Sequence, residues 1–176
     1  FDVSYGSSIT TDTRFGLPNY DTHDTYTLDG ILLEEKSRRG TTITYAPQRE
    51  TSFSRIVRYG AGTESDHWEV TDKSGTKRIY AQDFSSCVGS GAKTFTWNLT
   101  KVEDVHGNCV IYEYEKSDGY VYPKEIFYTG FGSEKGNYKV QFHYDENGMQ
   151  REDVRIDARS REIVACKKLL TGITSH

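Results

Sequence analysis

The sequence predicts an all-β protein, an antiparallel meander of hairpins, and three observations support that prediction. Apolar and polar residues alternate with a period of two along many short segments, which is the pattern of strands with one buried face. Turns of one kind separate several of these segments, with Asp or Lys followed three positions later by Gly. The composition also favours strands, with 13 Tyr, 8 Phe, 16 Gly and a single Met among 176 residues.

The predicted strands follow one another along the chain with short connections. The alternation is seen at 41–45, 53–59, 67–71, 77–80, 94–99, 110–115, 124–128 and 138–144. The turn sequences are DKSG at 72–75, DVHG at 104–107, KSDG at 116–119 and DENG at 145–148. In such turns Gly supplies the positive φ that hairpin loops of three to five residues need.

Two regions are less regular. The segment 84–93 contains Ser-Ser-Cys-Val-Gly-Ser-Gly and is predicted to be a long flexible loop. The tail 151–176 allows strand or a short helix, and we favour strand. Because no internal boundary is evident, residues 1–176 are predicted to form one domain. The chain starts at Phe1 without Met or a signal segment, so we expect it to be a fragment of a longer protein.

Composition and charge also limit the kinds of partner that the sequence predicts. The net charge is −4 and neither sign forms a long block, so the basic face that nucleic-acid binding requires is not predicted. No apolar run approaches the ~20 residues of a transmembrane helix. Cys87, Cys109 and Cys166 have no metal-type spacing. Their odd number leaves a single disulfide open, and three free thiols are favoured.

The most suggestive stretch for chemistry is FGLPNYDTHDTYTLDG, at 15–30. Asp21, His23 and Asp24 could belong to a metal site or form an acid/base pair. A zinc or calcium site needs three or more converging ligands, and the sequence offers no second cluster. The favoured interpretation is an Asx-type turn, in which the Asp side chains accept bonds from backbone amides. The strand that follows is predicted to end at Asp29-Gly30.

A second candidate is the pair Glu113 and Glu115. E-x-E is the spacing with which ADP-ribosyltransferases hold and activate their acceptor. Those enzymes also carry a Ser-Thr-Ser strand that binds NAD, and this sequence has no such tripeptide. The G-x-S-x-G, G-x-x-x-x-G-K-[ST] and G-x-G-x-x-G motifs are missing as well. No catalytic, cofactor-binding or metal-ligating residue is therefore predicted, and an NAD-dependent transferase is only the third hypothesis.

The stretch 15–30 resembles the G-x-P-x-Y-x-x-x-D-T-[FY]-x-L-x-G signature of the SpvB-type N-terminal domain. That domain occurs in the SpvB virulence proteins and in the B components of insecticidal Tc toxin complexes. The matching residues are Gly16, Pro18, Tyr20, Asp24, Thr25, Tyr26, Leu28 and Gly30.

Further segments resemble the same family in the same order along nearly the whole chain. Single positions that carry the match are Trp68, Trp97, Asp104, Gly107, Asn108, Tyr112, Tyr114, Arg151 and Asp153. In the last block Lys168 stands where the family has Arg. Tyr144-Asp145-x-x-Gly148 also resembles one unit of the YD (Rhs) repeats, which build a hollow β-shell around a toxic cargo in Tc-type proteins.

The resemblance implies a non-catalytic scaffold segment of a secreted toxin complex, made in the bacterial cytoplasm and forming part of a larger Rhs-like β-shell. Its implied partners are neighbouring Rhs/YD-repeat and propeller segments of the same protein, or a C-component subunit. Unpaired strand edges would then be completed by neighbours, and the isolated chain is expected to self-associate. The alternative is a surface adhesin-like module that binds a glycan or receptor through exposed Tyr and Trp.

Overall fold

The computed structural model describes residues 6–48, 54–145 and 152–176. These residues form 15 strands, two short 3-10 turns and no α-helix. The strands are β1 Ser8–Thr11, β2 Tyr26–Leu28, β3 Ile31–Arg39, β4 Thr42–Pro47, β5 Arg55–Tyr59, β6 His67–Thr71, β7 Lys77–Tyr80, β8 Cys87–Val88, β9 Thr96–Glu103, β10 Asn108–Ser117, β11 Tyr120–Phe131, β12 Tyr138–Tyr144, β13 Arg155–Asp157, β14 Val164–Cys166 and β15 Leu170–Ser175. The predicted all-β class is confirmed. No helix in the described part of the chain is long and apolar enough to cross a membrane.

The first half of the chain closes into a barrel. Strands β1 to β7 pair in chain order, β7 pairs with β9, and β9 pairs back to β1. Every pairing is antiparallel, as the predicted meander requires. Closure gives an eight-stranded barrel, a size whose interior side chains can fill completely.

Strand β9 is shared between the barrel and a second layer. Its first half, at Thr96 to Asn98, pairs with β1, and its second half, at Lys101 to Glu103, pairs with β10. The sheet forks here, because β10 leaves the barrel and continues through β11 and β12 to β15. At the fork the Tyr114 hydroxyl donates to the Leu99 carbonyl at 2.6 Å.

Aromatic and branched side chains fill the barrel. Trp68 and Trp97 are fully buried and contact each other edge to face, with ring centroids 5.7 Å apart. The rest of this core comprises Ile9, Tyr26, Leu33, Ile43, Tyr45, Ile56, Val70, Tyr80, Ala81, Cys87 and Leu99. Period-two alternation places each of these strand side chains on the inner face.

The hairpin turns agree with the sequence in two cases and differ in one. DKSG lies in the five-residue loop 72–76 between β6 and β7, and DVHG forms the four-residue loop 104–107 between β9 and β10. KSDG does not form a loop of three to five residues. Asp118 and Gly119 alone make the turn, both with positive φ, and Ser117 pairs with Tyr120. This two-residue geometry matches the twist of paired strands. DENG falls largely in 146–150, outside the described residues.

Several elements differ from the prediction. The segment 84–93 is not one long loop, because it contains the 3-10 turns Phe84–Ser86 and Gly91–Lys93 and the strand β8, which pairs with β9. The sequence patterns also missed β1 and β3. Strand β3 reads ILLEEKSRR and is mostly exposed, so it has no apolar alternation to detect. The preference for strand in the tail is confirmed by β13, β14 and β15.

Candidate functional site

The stretch 15–30 forms a loop followed by the β2–β3 hairpin. The Asp24 carboxylate accepts bonds from the backbone amides of Asn19 at 2.9 Å and Tyr20 at 2.6 Å. Tyr20 lies in the left-handed region, with φ of 59°. A bulky residue adopts that conformation only where its surroundings fix it. The predicted Asx-type turn is present at Asp21, which accepts the amide two residues downstream, whereas the Asp24 carboxylate accepts amides four and five residues upstream.

Asp21 and His23 lie at the surface of the same loop. Asp21 Oδ1 accepts the His23 backbone amide at 2.8 Å and lies 3.2 Å from His23 Nδ1. The His23 side chain is 86% exposed. Across the described residues, no three His, Cys, Asp or Glu side chains come together as a metal site would need.

The loop is bound from the far end of the chain. The Tyr20 hydroxyl donates to the Ser160 carbonyl at 2.5 Å. Arg161, on the same connection between β13 and β14, donates Nε to the Pro18 carbonyl at 2.5 Å and Nη2 to Asn19 Oδ1 at 3.2 Å. We call these three bonds the clasp. Because Asp24 fixes the backbone of Tyr20, it also aims the hydroxyl that forms the clasp.

Inside the barrel, β2 and β5 place a cation among aromatic rings. The Arg58 guanidinium carbon lies 4.8 Å from the Tyr26 ring centroid, 5.4 Å from Trp68 and 4.8 Å from Trp97. Asp66 binds it on two sides, Nε to Oδ1 at 2.9 Å and Nη2 to Oδ2 at 2.5 Å. The two side chains are 9% and 2% exposed. A bidentate pair of this kind is the usual way to keep a buried charge.

Burial and these contacts change the acid–base properties of the cluster. Burial alone would lower the pKa of Arg58, but the hydrogen bonds to Asp66 and the nearby Tyr26 outweigh it and raise that pKa above its ordinary value. Burial likewise raises the pKa of Tyr26 and of Tyr20. The guanidinium therefore stays charged and both phenols stay neutral at physiological pH, which leaves neither tyrosine ready to act as a base.

A cavity of about 190 Å³ lies between the loop and the Arg58 cluster. Asp21, Asp24, Arg38 and Arg58 all line it. Arg38 forms a bidentate ion pair with Glu35, at 3.0 and 2.6 Å, and Asp24 and Arg58 are committed as described. These cavity-lining charges therefore already have partners within the protein.

The carboxylates of the second candidate site, Glu113 and Glu115, also form ion pairs within the protein. Glu113 pairs with Lys135, and Glu115 pairs with Lys168 at 2.5 Å. Both glutamates lie on β10, and both pairs are about one-third to one-half exposed. The sequence had placed the glutamates on one polar strand face, and these ion pairs are consistent with that placement.

Other signature positions lie in turns and in the core. Asp104 Oδ1 accepts the amides of His106 at 2.8 Å and Asn108 at 2.9 Å, while Asn108 Nδ2 donates to Asp104 Oδ2. Gly107, with φ of 88°, would place a Cβ only 3.2 Å from the Phe131 ring. Asp29 and Gly30, both with positive φ, make the β2–β3 turn.

The remaining signature positions lie on the barrel core, in a turn or outside the described residues, and few aromatic side chains are exposed. Tyr112 packs on the barrel core, Asp153 lies in the turn before β13, and Arg151 lies outside the described residues. The expectation of exposed tryptophans, part of the adhesin alternative, is wrong, because both tryptophans are fully buried. Among the tyrosines that the structure describes, Tyr138 is the most exposed, at 56%.

Four residues central to this arrangement were missed from the sequence: Arg58, Asp66, Ser160 and Arg161. One signal was available for Arg58. It shares the inner strand face with Ile56, and a charge at an inward position needs a buried partner. The clasp had no such signal, since Tyr20 and Ser160 are 140 positions apart.

Comparison with known proteins identifies the family that this chain matches. A family model described as SpvB, Salmonella virulence plasmid 65 kDa B protein, matches residues 1–143. The match includes the loop and the whole barrel, but it ends before the β13–β14 hairpin that supplies the clasp. Comparison with curated protein sequences gives no significant match.

Solved structures with the same fold include a domain of a bacterial effector protein and chains of Tc toxin complexes. The N-terminal domain of the effector SpvB from Salmonella typhimurium strain LT2 aligns with a TM-score of 0.84 and 16% identity, over 97% of this chain and 75% of that chain. The Photorhabdus luminescens Tc holotoxin pore aligns at 0.80 and 16%, over 97% and 11%. The complex TcdB2–TccC3–Cdc42 gives 0.80 and 16%, over 96% and 11%. The chain thus spans three quarters of the first structure and about a tenth of the Tc toxin chains.

Proposed function

Because the chain belongs to the SpvB family, we propose that it is a non-catalytic structural segment of a bacterial toxin, Tc toxin B-like or SpvB-like, which helps to form a shell that encloses or delivers a toxic cargo. Its partners are neighbouring Rhs/YD-repeat and propeller segments of the same protein or a C-component subunit. The assembled toxin acts outside the bacterial cell.

One observation carries the non-catalytic part of this proposal. The carboxylates that suggested chemistry in the sequence are engaged in holding the fold. Asp24 binds two backbone amides, and Glu113 and Glu115 bind lysines. A catalytic carboxylate must instead face a substrate within hydrogen-bonding reach.

The architecture supports the scaffold part. The barrel strands pair in a closed order, and the interior is filled by Trp68, Trp97 and their neighbours. The second layer leaves the barrel at β9 and runs as a four-stranded extension from β10 to β15. Such an extension can join further strands laterally, as a wall assembled from successive segments requires.

The test is to incubate the chain with NAD⁺ and measure nicotinamide release, beside a bacterial ADP-ribosyltransferase as positive control. The proposal predicts release no faster than in buffer. Release that the double variant Glu113→Gln/Glu115→Gln abolishes would establish an NAD⁺-cleaving enzyme and overturn the proposal. The same preparation is applied to a glycan array, where saturable binding to one glycan class would support the adhesin alternative instead.

A further inference from the structure

The β13–β14 hairpin connects the four-stranded extension to the barrel, and we call it the strap. At one end, β14 is fixed to the extension, since all three of its residues, Val164–Cys166, are buried. Just beyond β14, the Tyr122 hydroxyl of the extension accepts the backbone amides of Lys167 and Lys168 at 2.8 and 3.1 Å. At the other end, the turn 158–163 of the strap is held to the barrel loop by the clasp.

Between its two ends the strap spans a cleft of about 640 Å³. Thr10 and Thr96 line this cleft from the barrel, and Ile156 and Ser160 line it from the strap. Ile156 is 69% exposed and Ile163, in the turn, is 74% exposed. Because segments that bury little apolar surface open more easily than the core, the clasp carries much of the attachment of the strap to the barrel.

Both side chains that donate in the clasp belong to residues with a left-handed backbone. The φ of Tyr20 is 59° and that of Arg161 is 62°. Bulky residues in this region are strained, and such strain is concentrated at switch regions of proteins. Asp24 holds the Tyr20 backbone whether or not the clasp is formed, so the Tyr20 hydroxyl stays aimed at the strap. Arg161 lies in the turn of the strap itself, so its strain can relax when the clasp opens.

We propose that the strap is a releasable device, which opens at the clasp and pivots at β14 while the barrel and the extension stay folded. Opening breaks the three bonds of the clasp and uncovers the cleft beneath the strap. Relaxation of Arg161 offsets part of that loss, and the fixed Tyr20 gives the returning turn a preformed partner. The open strap is therefore a minor state of the native chain, and it becomes the major state when the clasp bonds are removed.

Double electron–electron resonance between two spin labels tests this proposal. One label is attached at Ile163→Cys on the strap and the other at Arg39→Cys on β3, two exposed positions, while the three native thiols are buried. The native chain should show one dominant distance. Arg161→Ala removes two bonds of the clasp and should raise the ratio of open to closed strap by more than about tenfold. Tyr20→Phe/Arg161→Ala removes all three bonds and should be mostly open.

Matched variants separate the clasp from other effects. Arg159→Ala is the control, because Arg159 lies in the same turn but its guanidinium binds Asp157 within the strap, so its distance should stay native. Arg161→Gly loses the same bonds as Arg161→Ala but has no Cβ to strain the left-handed backbone, so it should open less. Labels at Arg39→Cys and Lys124→Cys, on the barrel and the extension, should report one unchanged distance in every variant.

A single closed distance in Tyr20→Phe/Arg161→Ala, with native circular dichroism, overturns the proposal, because the strap then stays closed without its clasp. Equal opening in Arg159→Ala also overturns it, since the hairpin would then be fraying on its own. A changed distance between the labels at 39 and 124 does the same, because the barrel and the extension would then be moving or unfolding. Failure of the strap leaves the proposed scaffold function untouched, because the NAD⁺ and glycan measurements test that separately.

Discussion

Removing Asp66 should cost the protein much of its stability, because it leaves the Arg58 charge buried without a counter-ion. The Arg58 side chain is 9% exposed and loses two hydrogen bonds, of 2.9 and 2.5 Å, in Asp66→Ala. Breaking a buried ion pair on one side typically costs about 3–5 kcal/mol. The rings of Tyr26, Trp68 and Trp97 remain in contact with the guanidinium in the variant, so the charge keeps favourable neighbours and the cost should fall at the lower end of that range. We therefore expect a net loss of about 3 kcal/mol and a Tm lower by about 6–12 °C, at 2–4 °C per kcal/mol for a chain of this size.

The assay is equilibrium urea unfolding at neutral pH, followed by the fluorescence of the two buried tryptophans. Asp66→Ala, Arg58→Met and the double variant form a cycle. The double variant should be more stable than Asp66→Ala, since it removes the unpaired charge and places a flexible apolar side chain among the rings. A loss below about 1 kcal/mol in Asp66→Ala, or single losses that simply add in the double variant, would show that the pair does not hold the barrel as inferred.

Three further predictions concern other parts of the fold. Tyr20→Phe removes the hydroxyl of the clasp and should lower the free energy of unfolding by about 1 kcal/mol in urea titrations, and an unchanged midpoint would argue that the clasp adds nothing. Burial raises the pKa of Tyr45 and of Tyr80 to about 12 from an ordinary 10. The unfolded chain therefore releases these protons first, so the urea midpoint should be level below pH 10 and fall as pH rises from 10 to 12. Burial raises the pKa of the Cys87 thiol to about 11, and with Cys109 and Cys166 also buried, Ellman's reagent should label all three only in denaturant.

Much of the fold follows from local patterns in the sequence. The strands with apolar alternation were predicted because the alternation itself shows which face is buried. The DKSG and DVHG turns were predicted because a few neighbouring residues, Gly above all, determine the turn. Strand β3 could not be predicted this way, since its charged side chains project into water and Leu33 is its only side chain in the barrel core. Closure of β1 onto β9 also had no local signal, because register between strands almost 90 positions apart is fixed by core packing.

The candidate site likewise combines features that have a local sequence signal with features that have none. The bonds from backbone amides to Asp21 and Asp24 were predictable, because each carboxylate and its amide donors lie within five positions. The clasp between Tyr20 and Ser160 and the pair between Arg58 and Asp66 depend on how the barrel brings distant segments together. In the sequence, the stretch 15–30 resembles an active site. Its structural role is apparent only when these distant partners are known.

The most direct test of this account compares the two aspartates of the loop in the presence and absence of Zn²⁺, Ca²⁺ or Mg²⁺. Asp24→Ala loses two charge-assisted bonds to partly exposed amides and should destabilise the protein by about 2 kcal/mol. Asp21→Ala, which loses only the surface contacts to the His23 backbone and ring, should cost less than about 1 kcal/mol. We expect no cation to change the Tm of the native chain. A cation that raises the Tm of the native chain, but not that of either variant, would show that the loop is a metal site and contradict its assignment as architecture.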